Sequence, residues 1–270
     1  MKQTRLALQD QVLALIYPEK LQGDIETLFG PRAQILRLPS HKILIREETA
    51  GRFSLLTDGE MQFDRLDRPQ LLLALVGEAV QTLISDIASG VVAHAGAVSW
   101  DGKGIIIPGT TGAGKSSICA WLAHRGFEYL TDECVVLQPE VPRFTALRRP
   151  LIVKDDATKL LHLPESERLL VSGNSTIFWP ENSAQDDDPY SCHLILFPRF
   201  EHGSPLELTK FSAAQTTLEL TTCNVNARNL ADHGFGIVTS CARKVPAIQL
   251  RYGSFQQLEG ALDRLFELVG

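Results

Sequence analysis

The 270-residue chain is 44% hydrophobic and 21% charged, the composition of an ordinary folded protein. Its net charge of -6 excludes the basic footprint of a nucleic-acid binder. The longest apolar run, 71–76, is far too short to span a bilayer. The length suits one large domain or two smaller ones. The five cysteines (Cys119, Cys134, Cys192, Cys223 and Cys241) are odd in number and lack a C-x-x-C pair. They read as buried thiols in a reducing compartment. Residues 1–6 lack the apolar core of a secretory signal, so the expectation is a cytoplasmic protein with no membrane partner.

Residues 1–88 carry no catalytic motif and read as a small α+β unit. Strands are expected at 4–8 and 12–17, then a short helix at 24–29 that stops at Gly30 and Pro31. Strands at 42–46 and 52–56 flank a turn at Gly51, and 57–59 makes the next turn. Residues 69–88 have apolar positions at helical spacing, with Pro69 at the start and Ser89 and Gly90 at the end. The unit is expected to be a structural cover or docking surface, with a specific recognition role as the alternative; the sequence does not choose.

Residues 89–270 form the second unit. Residues 91–100 read as a strand that turns back at Asp101 and Gly102 into a second strand, 104–108. The next residues, GTTGAGKS at 109–116, fit the phosphate-binding P-loop, G-x-x-x-x-G-K-[ST]. A helix over 117–126 completes the strand, loop, helix context that the motif requires. The glycines Gly109, Gly112 and Gly114 let the backbone turn tightly and bring N–H groups to phosphate oxygens. Thr110, Thr111 and Ala113 complete the loop, and Ser117 follows on the helix, whose start adds unpaired donors and partial positive charge. Lys115 is expected on the β- and γ-phosphates and Ser116 on Mg²⁺. By chance this pattern would arise in roughly one such chain in a hundred. The expected ligand is therefore a nucleotide.

His94 lies on the strand expected to pair beside the P-loop strand. That neighbour favours a functional histidine over a structural one. The run 127–137 is apolar except for Asp132 and Glu133. Such a pair after a P-loop helix can hold Mg²⁺ or take a proton from an incoming hydroxyl.

The segment from His94 through Leu137 resembles the catalytic domain of the bacterial HPr kinase/phosphorylase and its related kinases. It carries His94-Ala95, the P-loop, Arg125-Gly126 and Asp132-Glu133 in that order and at closely matching separations. The resemblance covers about 45 residues and implies a P-loop, phosphoenolpyruvate-carboxykinase-like α/β domain with a mixed sheet. It also implies ATP with Mg²⁺, and phosphoryl transfer to a hydroxyl, such as a serine of a protein or peptide. On the same ground Asp132 is the base for the acceptor hydroxyl. Glu133 assists at the metal with Ser116, and His94 positions the acid or contacts phosphate; the two carboxylate roles are interchangeable at this stage. Three features set the chain apart from the HPr enzyme itself. Glu133 stands where those enzymes carry Asp, their later glycine-rich signature is absent, and 148–154 (RRPLIVK) is similar to a stretch of the related kinases.

Beyond the acidic pair, 155–163 has helical spacing and Pro164 stops it. Residues 180–190 read as an exposed, mobile acidic loop. Strands follow at 191–197 and 206–211, then a helix over 212–220 capped by Ser212. Arg228 lies in a stretch that resembles an Arg-Asn-Leu segment of the HPr kinase domain, which makes it a candidate phosphate or transition-state contact; a plain surface arginine is the alternative. A strand at 246–253 and an amphipathic helix at 255–269 close the chain. Two rivals remain: a small-metabolite kinase, and a nucleotide-binding regulatory protein without transfer. A GTPase is disfavoured, since residues 229–232 (NLAD) lack the lysine of the guanine-reading motif. Homo-oligomerisation is left open.

Overall fold

The computed structural model describes residues 1–30, 35–140, 142–154, 169–172, 174–185 and 188–269. The chain starts as an antiparallel hairpin of β1 (Lys2–Leu8) and β2 (Gln11–Tyr17). Helix α1 (Gln22–Phe29) then ends at Gly30, whose φ of 66° suits a residue without a Cβ. The chain returns as β3 (His41–Thr49), parallel to β2, and continues antiparallel through β4 (Arg52–Thr57) and β5 (Glu60–Leu66). The sequence reading had no strand at β5. Its residues, EMQFDRL, alternate only at Met61 and Phe63 before Arg65 breaks the pattern, and both side chains are exposed, so pairing with β4 rather than burial makes it a strand.

Helix α2 (Arg68–Ile84) lays Leu71, Leu75, Val76, Ala79 and Leu83 against Leu13, Leu15, Ile43, Ile45 and Leu55 of this sheet. A capping box starts it, with Asp67 accepting from the Gln70 N–H and the Gln70 side chain reaching back. It stops at Ile84, four residues short of the expected end, for a tertiary reason. The carboxamide of Asn229 donates to the carbonyls of Ser85 (2.6 Å) and Ile87 (3.3 Å). That of Asn226 donates to the carbonyls of Ile87 (2.8 Å) and Gly90 (2.9 Å). These contacts offer the chain an alternative to a further helical turn. The apolar cluster around α2 also takes in Val92, Cys134 and Val136 from the second sheet.

The second, eight-stranded sheet is mixed. Strand β6 (Val91–Trp100) turns at Asp101 and Gly102, both with positive φ, into β7 (Lys103–Pro108). On its other edge β6 pairs with β8 (Glu128–Thr131) and β9 (Cys134–Leu137). Beyond β9 lies β10 (Arg143–Ala146). The short strands β11 (Leu151–Lys154), β12 (Leu170–Ser172) and β13 (Ser175–Phe178) make a separate three-stranded sheet. Strand β14 (Tyr190–Phe200) runs parallel to β7. Last come β15 (Glu207–Lys210) and β16 (Ala247–Tyr252), the latter parallel to β14.

Alternation along the strands sends apolar side chains to both faces. Ile105, Ile107, Leu194 and Leu196 meet α3 (Lys115–Ala123) and α6 (Phe255–Val269). Ala93, Ala95, Ala97 and Ile106 share a cluster with Leu220 of α4 (Ala213–Thr222) and with Val238 and Cys241 of α5 (Phe235–Lys244). The architecture is α/β with mixed sheets. No stop or start signal in the sequence reading had marked α5. Gly234 begins it in the left-handed region, and the Asp232 carboxylate accepts from the N–H groups of Gly234 at 3.0 Å and Gly236 at 2.9 Å.

The acidic segment 180–190 departs from the expected free loop. Tyr129 of β8 donates its N–H to the Asn182 carbonyl at 2.7 Å, and its own carbonyl accepts from Ala184 at 2.9 Å. Pro180 and Ala184 are buried. The loop is thus tethered to β8 by backbone bonds that its polar composition does not reveal; Asp186 and Asp187 lie outside the described residues. The helix expected over 155–163 also lies outside them. All five cysteines are buried free thiols. No helix among the described residues is long and apolar enough to cross a membrane.

Candidate phosphoryl-transfer site

The site forms where β6 changes partners on both edges. On one edge β7 leaves it after Pro108, paired with Ala95, and becomes the P-loop. Residues 223–226 take its place, with the His94 N–H donating to the Cys223 carbonyl at 2.7 Å and the Val225 N–H to Val92 at 2.9 Å. On the other edge β8 pairs antiparallel up to Ala97 with Thr131, after a register shift between Val98 and Ala97, and β9 takes over at His94 with Cys134. The break between them is Asp132-Glu133. His94 therefore sits between the P-loop and the acidic pair, a placement that follows from two local strand interruptions.

The loop has the backbone that its glycines permit. Gly112 and Gly114 have φ of 87° and 97°, the left-handed region. A Cβ on Gly114 would also stand 2.9 Å from the Tyr252 hydroxyl. Lys115 opens α3, is 6% exposed, and donates to the Thr110 carbonyl at 3.1 Å. Burial lowers the pKa of its ammonium, and the nearby Glu133 and Asp132 carboxylates oppose that shift. A buried cation held by a neutral carbonyl fits a site that receives phosphate.

A cleft of about 520 Å³ opens beside the loop. Thr111, Gly112, Gly114, Lys115, Ser116 and Ser117 form one side. His94, Asp132 and Glu133 form another. Gly109, Thr110 and Ala113 complete the loop behind this surface. The Ser116 hydroxyl and the two carboxylates give one cleft a set of hard oxygen donors, the chemistry that Mg²⁺ requires. Phe200, Tyr252 and Phe255 form an aromatic wall that sequence reasoning missed. They come from the ends of β14 and β16 and the start of α6, separate segments that the parallel strands bring together.

The carboxylates differ in environment. Asp132 is 3% exposed. It accepts from the Tyr129 hydroxyl at 3.2 Å and the Ile152 N–H at 3.4 Å, and lies 3.3 Å from Nε of Arg149. Glu133 is partly exposed and accepts from Nη1 of Arg149 at 2.9 Å. Arg149 is 5% exposed and bridges the pair. Burial alone would lower its pKa, but Asp132 and Glu133 outweigh burial and raise it. The sequence reading had noted 148–154 only for its resemblance; the doubled arginine before Pro150 was the available signal.

Nδ1 of His94 lies 3.0 Å from the Glu133 carbonyl oxygen, which can only accept, so Nδ1 carries the proton and Nε2 keeps a lone pair. Burial, and then the Lys115 charge, lower the His94 pKa against the opposing pull of Glu133. Ligand atoms of His94, Glu133 and Cys134 lie within 4.8 Å of one another. The Cys134 thiol is pushed up to about 12 by burial and the neighbouring Glu133, which makes it a protonated, weak donor.

A second cavity, of about 480 Å³, shares His94 and Glu133 with the cleft. Its other walls are Gln81, Ile84 and Ser85 from the end of α2, Cys134, and Val225, Asn226, Arg228 and Asn229. Arg228 thus borders this cavity and is absent from the walls of the P-loop cleft.

No family model and no curated protein matches the chain. Among solved structures, the HPr(Ser) kinase/phosphatase from Coxiella burnetii is similar to it at 16% identity, with a TM-score of 0.33. The match covers 66% of this chain and 96% of that one. Overlap at that level does not establish a common fold, and the functional reading rests on the cleft itself.

Proposed function

We propose that the protein is an ATP-dependent phosphotransferase that moves the γ-phosphoryl group to a hydroxyl, such as a serine of a protein or peptide. The carrying observation is that a loop with the phosphate-binding motif and a carboxylate pair, Asp132 buried and Glu133 partly exposed, face one cleft. Nucleotide binding alone draws on the loop N–H groups, Lys115 and Mg²⁺ with one carboxylate, and has no need of a second. The order of motifs shared with the HPr-kinase-related enzymes supports the same reading, in a phosphoenolpyruvate-carboxykinase-like domain that follows a small N-terminal unit of residues 1–88.

In this reading the loop N–H groups and Lys115 hold the β- and γ-phosphates. Ser116 and one carboxylate hold Mg²⁺, which neutralises charge on the phosphates. Asp132 borders the P-loop cleft alone and is engaged by three partners, whereas Glu133 borders both cavities. That distribution favours Asp132 toward the metal and Glu133, with His94 beside it, toward the acceptor hydroxyl. Of the two orders the sequence left open, this is the one adopted. A regulatory binder without transfer is the rival, and the acidic pair disfavours it.

The test is calorimetry with Mg·ATP beside transfer of labelled phosphate. Lys115→Ala should abolish Mg·ATP binding and leave the fold intact; wild-type affinity in this variant overturns the P-loop reading. Glu133→Gln should lower turnover at least about a hundredfold, the low end for a lost general base. Its Mg·ATP affinity should stay within about tenfold of wild type. Asp132→Asn should lower affinity and turnover together. The reverse pattern exchanges the two roles. Tight Mg·ATP binding with no transfer to any acceptor replaces the kinase with the regulatory reading.

A further inference from the structure

We infer that the cavity between the end of α2 and residues 225–229 is the acceptor site, and that it takes a hydroxyl compound or residue bearing a nearby anionic group, recognised by Arg228. This rests on the phosphotransfer reading above and names the substrate chemistry of that site.

The cavity shares with the P-loop cleft the two side chains a transfer needs at the junction, Glu133 and His94. A hydroxyl entering there meets a carboxylate on one side and the nucleotide cleft on the other. In the step, the acceptor O–H bond breaks and its proton passes to Glu133. The oxygen forms a bond to the γ-phosphorus, and the bond from that phosphorus to the β,γ-bridging oxygen breaks. ADP leaves with that electron pair, so the products are ADP and the phosphate ester.

The rest of the wall sets what accompanies the hydroxyl. The carboxamides of Asn226 and Asn229 are occupied by backbone carbonyls at the end of α2, and the Asn226 oxygen accepts from the Val92 N–H at 2.8 Å. They shape the cavity, and their N–H donors are not available to read a ligand. The Ser85 hydroxyl donates to the Thr82 carbonyl at 3.0 Å. Glu133 is held by Arg149 at 2.9 Å. Arg228 is exposed, and among the described residues no carboxylate pairs with it. The wall therefore carries a tethered anion at the reacting end and an unmatched guanidinium beside it. A carboxylate or phosphate on the acceptor complements that guanidinium, and a cationic group opposes it. Ile84 and Val225 supply an apolar surface for the carbon skeleton. Because α2 forms one wall, the first 88 residues take part in choosing the acceptor.

The same chemistry belongs to a serine beside an acidic residue and to a free hydroxy acid, and the experiment has an arm for each. The full chain with Mg²⁺ and γ-labelled ATP is offered serine peptides with Asp, Asn or Lys next to the serine. In parallel it is offered L-serine and glycerate against serine amide and glycerol. The proteins are wild type, Arg228→Gln and Gln81→Trp, whose indole would fill the cavity from an exposed position on α2. The expected result is at least about a tenfold preference in kcat/KM for acid-bearing acceptors, the size of one charge-assisted contact. That preference should fall to within about twofold in Arg228→Gln, and Gln81→Trp should lower transfer to every acceptor. The arm that is labelled identifies the source. Transfer without an acid preference, or with a preference that Arg228→Gln leaves untouched, overturns the acceptor assignment while the kinase stands. Loss of Mg·ATP affinity in Arg228→Gln puts that residue on the nucleotide and also overturns it. Mg·ATP binding without transfer to any acceptor removes the kinase reading and this assignment together.

Discussion

Arg149 holds two carboxylates at one point of the cleft, and its removal leaves the buried Asp132 and the partly exposed Glu133 without their cation. Breaking a buried ion pair from one side costs about 3–5 kcal/mol. Arg149→Leu should therefore lower unfolding free energy by about that much in urea denaturation, and abolish transfer. A loss under about 1 kcal/mol would mean that the pair is solvated in solution. Two histidines should give stability opposite dependences on pH. His94, lowered by burial and Lys115, binds its proton less readily in the folded chain than in the unfolded one. Its contribution is complete above the ordinary histidine value of 6.5 and is lost as pH falls below it. At His41, burial lowers the pKa, but bonds to Asp58 (2.7 Å) and Asp86 (3.1 Å) outweigh it and raise the value. Its contribution is complete below 6.5 and is lost as pH rises through the raised value. Urea midpoints across this range should show His94→Gln flattening the acid side and His41→Asn the alkaline side. A profile unchanged by either variant would contradict these assignments.

Among the elements, the P-loop helix depends on how closely it approaches β6. A Cβ on Gly96 would stand 2.4 Å from the Cys119 sulfur and 3.5 Å from the Thr131 carbonyl oxygen. Cys119 is fully buried in α3, so its sulfur has nowhere to go without moving the helix. Gly96→Ala should cost about 1–3 kcal/mol by overpacking and weaken Mg·ATP binding, because α3 carries Lys115 and Ser116. Adding Cys119→Ala should recover at least about half of that loss, a coupling that a double-mutant cycle reads directly. Additive costs would mean that Gly96 is required for its backbone alone. Strand β6 was legible in the sequence because Val91, Val92, Val98 and three alanines make it mostly apolar, and the Asp101-Gly102 turn ends it. The reason for its glycine was not, since it depends on a residue of α3 that the fold brings against it.

The largest sheet and the first 88 residues are joined by Asn226, which is 4% exposed and bonds to Ile87, Gly90 and Val92. Asn226→Ala would leave the buried Val92 N–H and Gly90 carbonyl without partners and the Ile87 carbonyl with Asn229 alone. The expected cost is at least about 2 kcal/mol, read as a lower urea midpoint. The end of α2 should also become more open to amide hydrogen exchange, because those bonds fix where the helix stops. Wild-type protection at 84–90 would show that apolar packing alone holds the junction.

The P-loop, its strand and helix, the hairpin before it and most strand positions follow from the sequence, because apolar periodicity and glycine placement act over a few residues. So does the proximity of His94 and the acidic pair to the loop, since neighbouring strands and one short crossover separate them. What needed the tertiary structure was every contact made across long separations. Arg149 on both carboxylates, the aromatic wall from β14, β16 and α6, and the anchoring of 182–184 to β8 arise from pairings that no local pattern encodes. The second cavity is the clearest case. Residues 81–85 and 225–229 have no shared motif, and they form one wall because buried backbone carbonyls at the end of α2 need donors and two distant asparagines supply them.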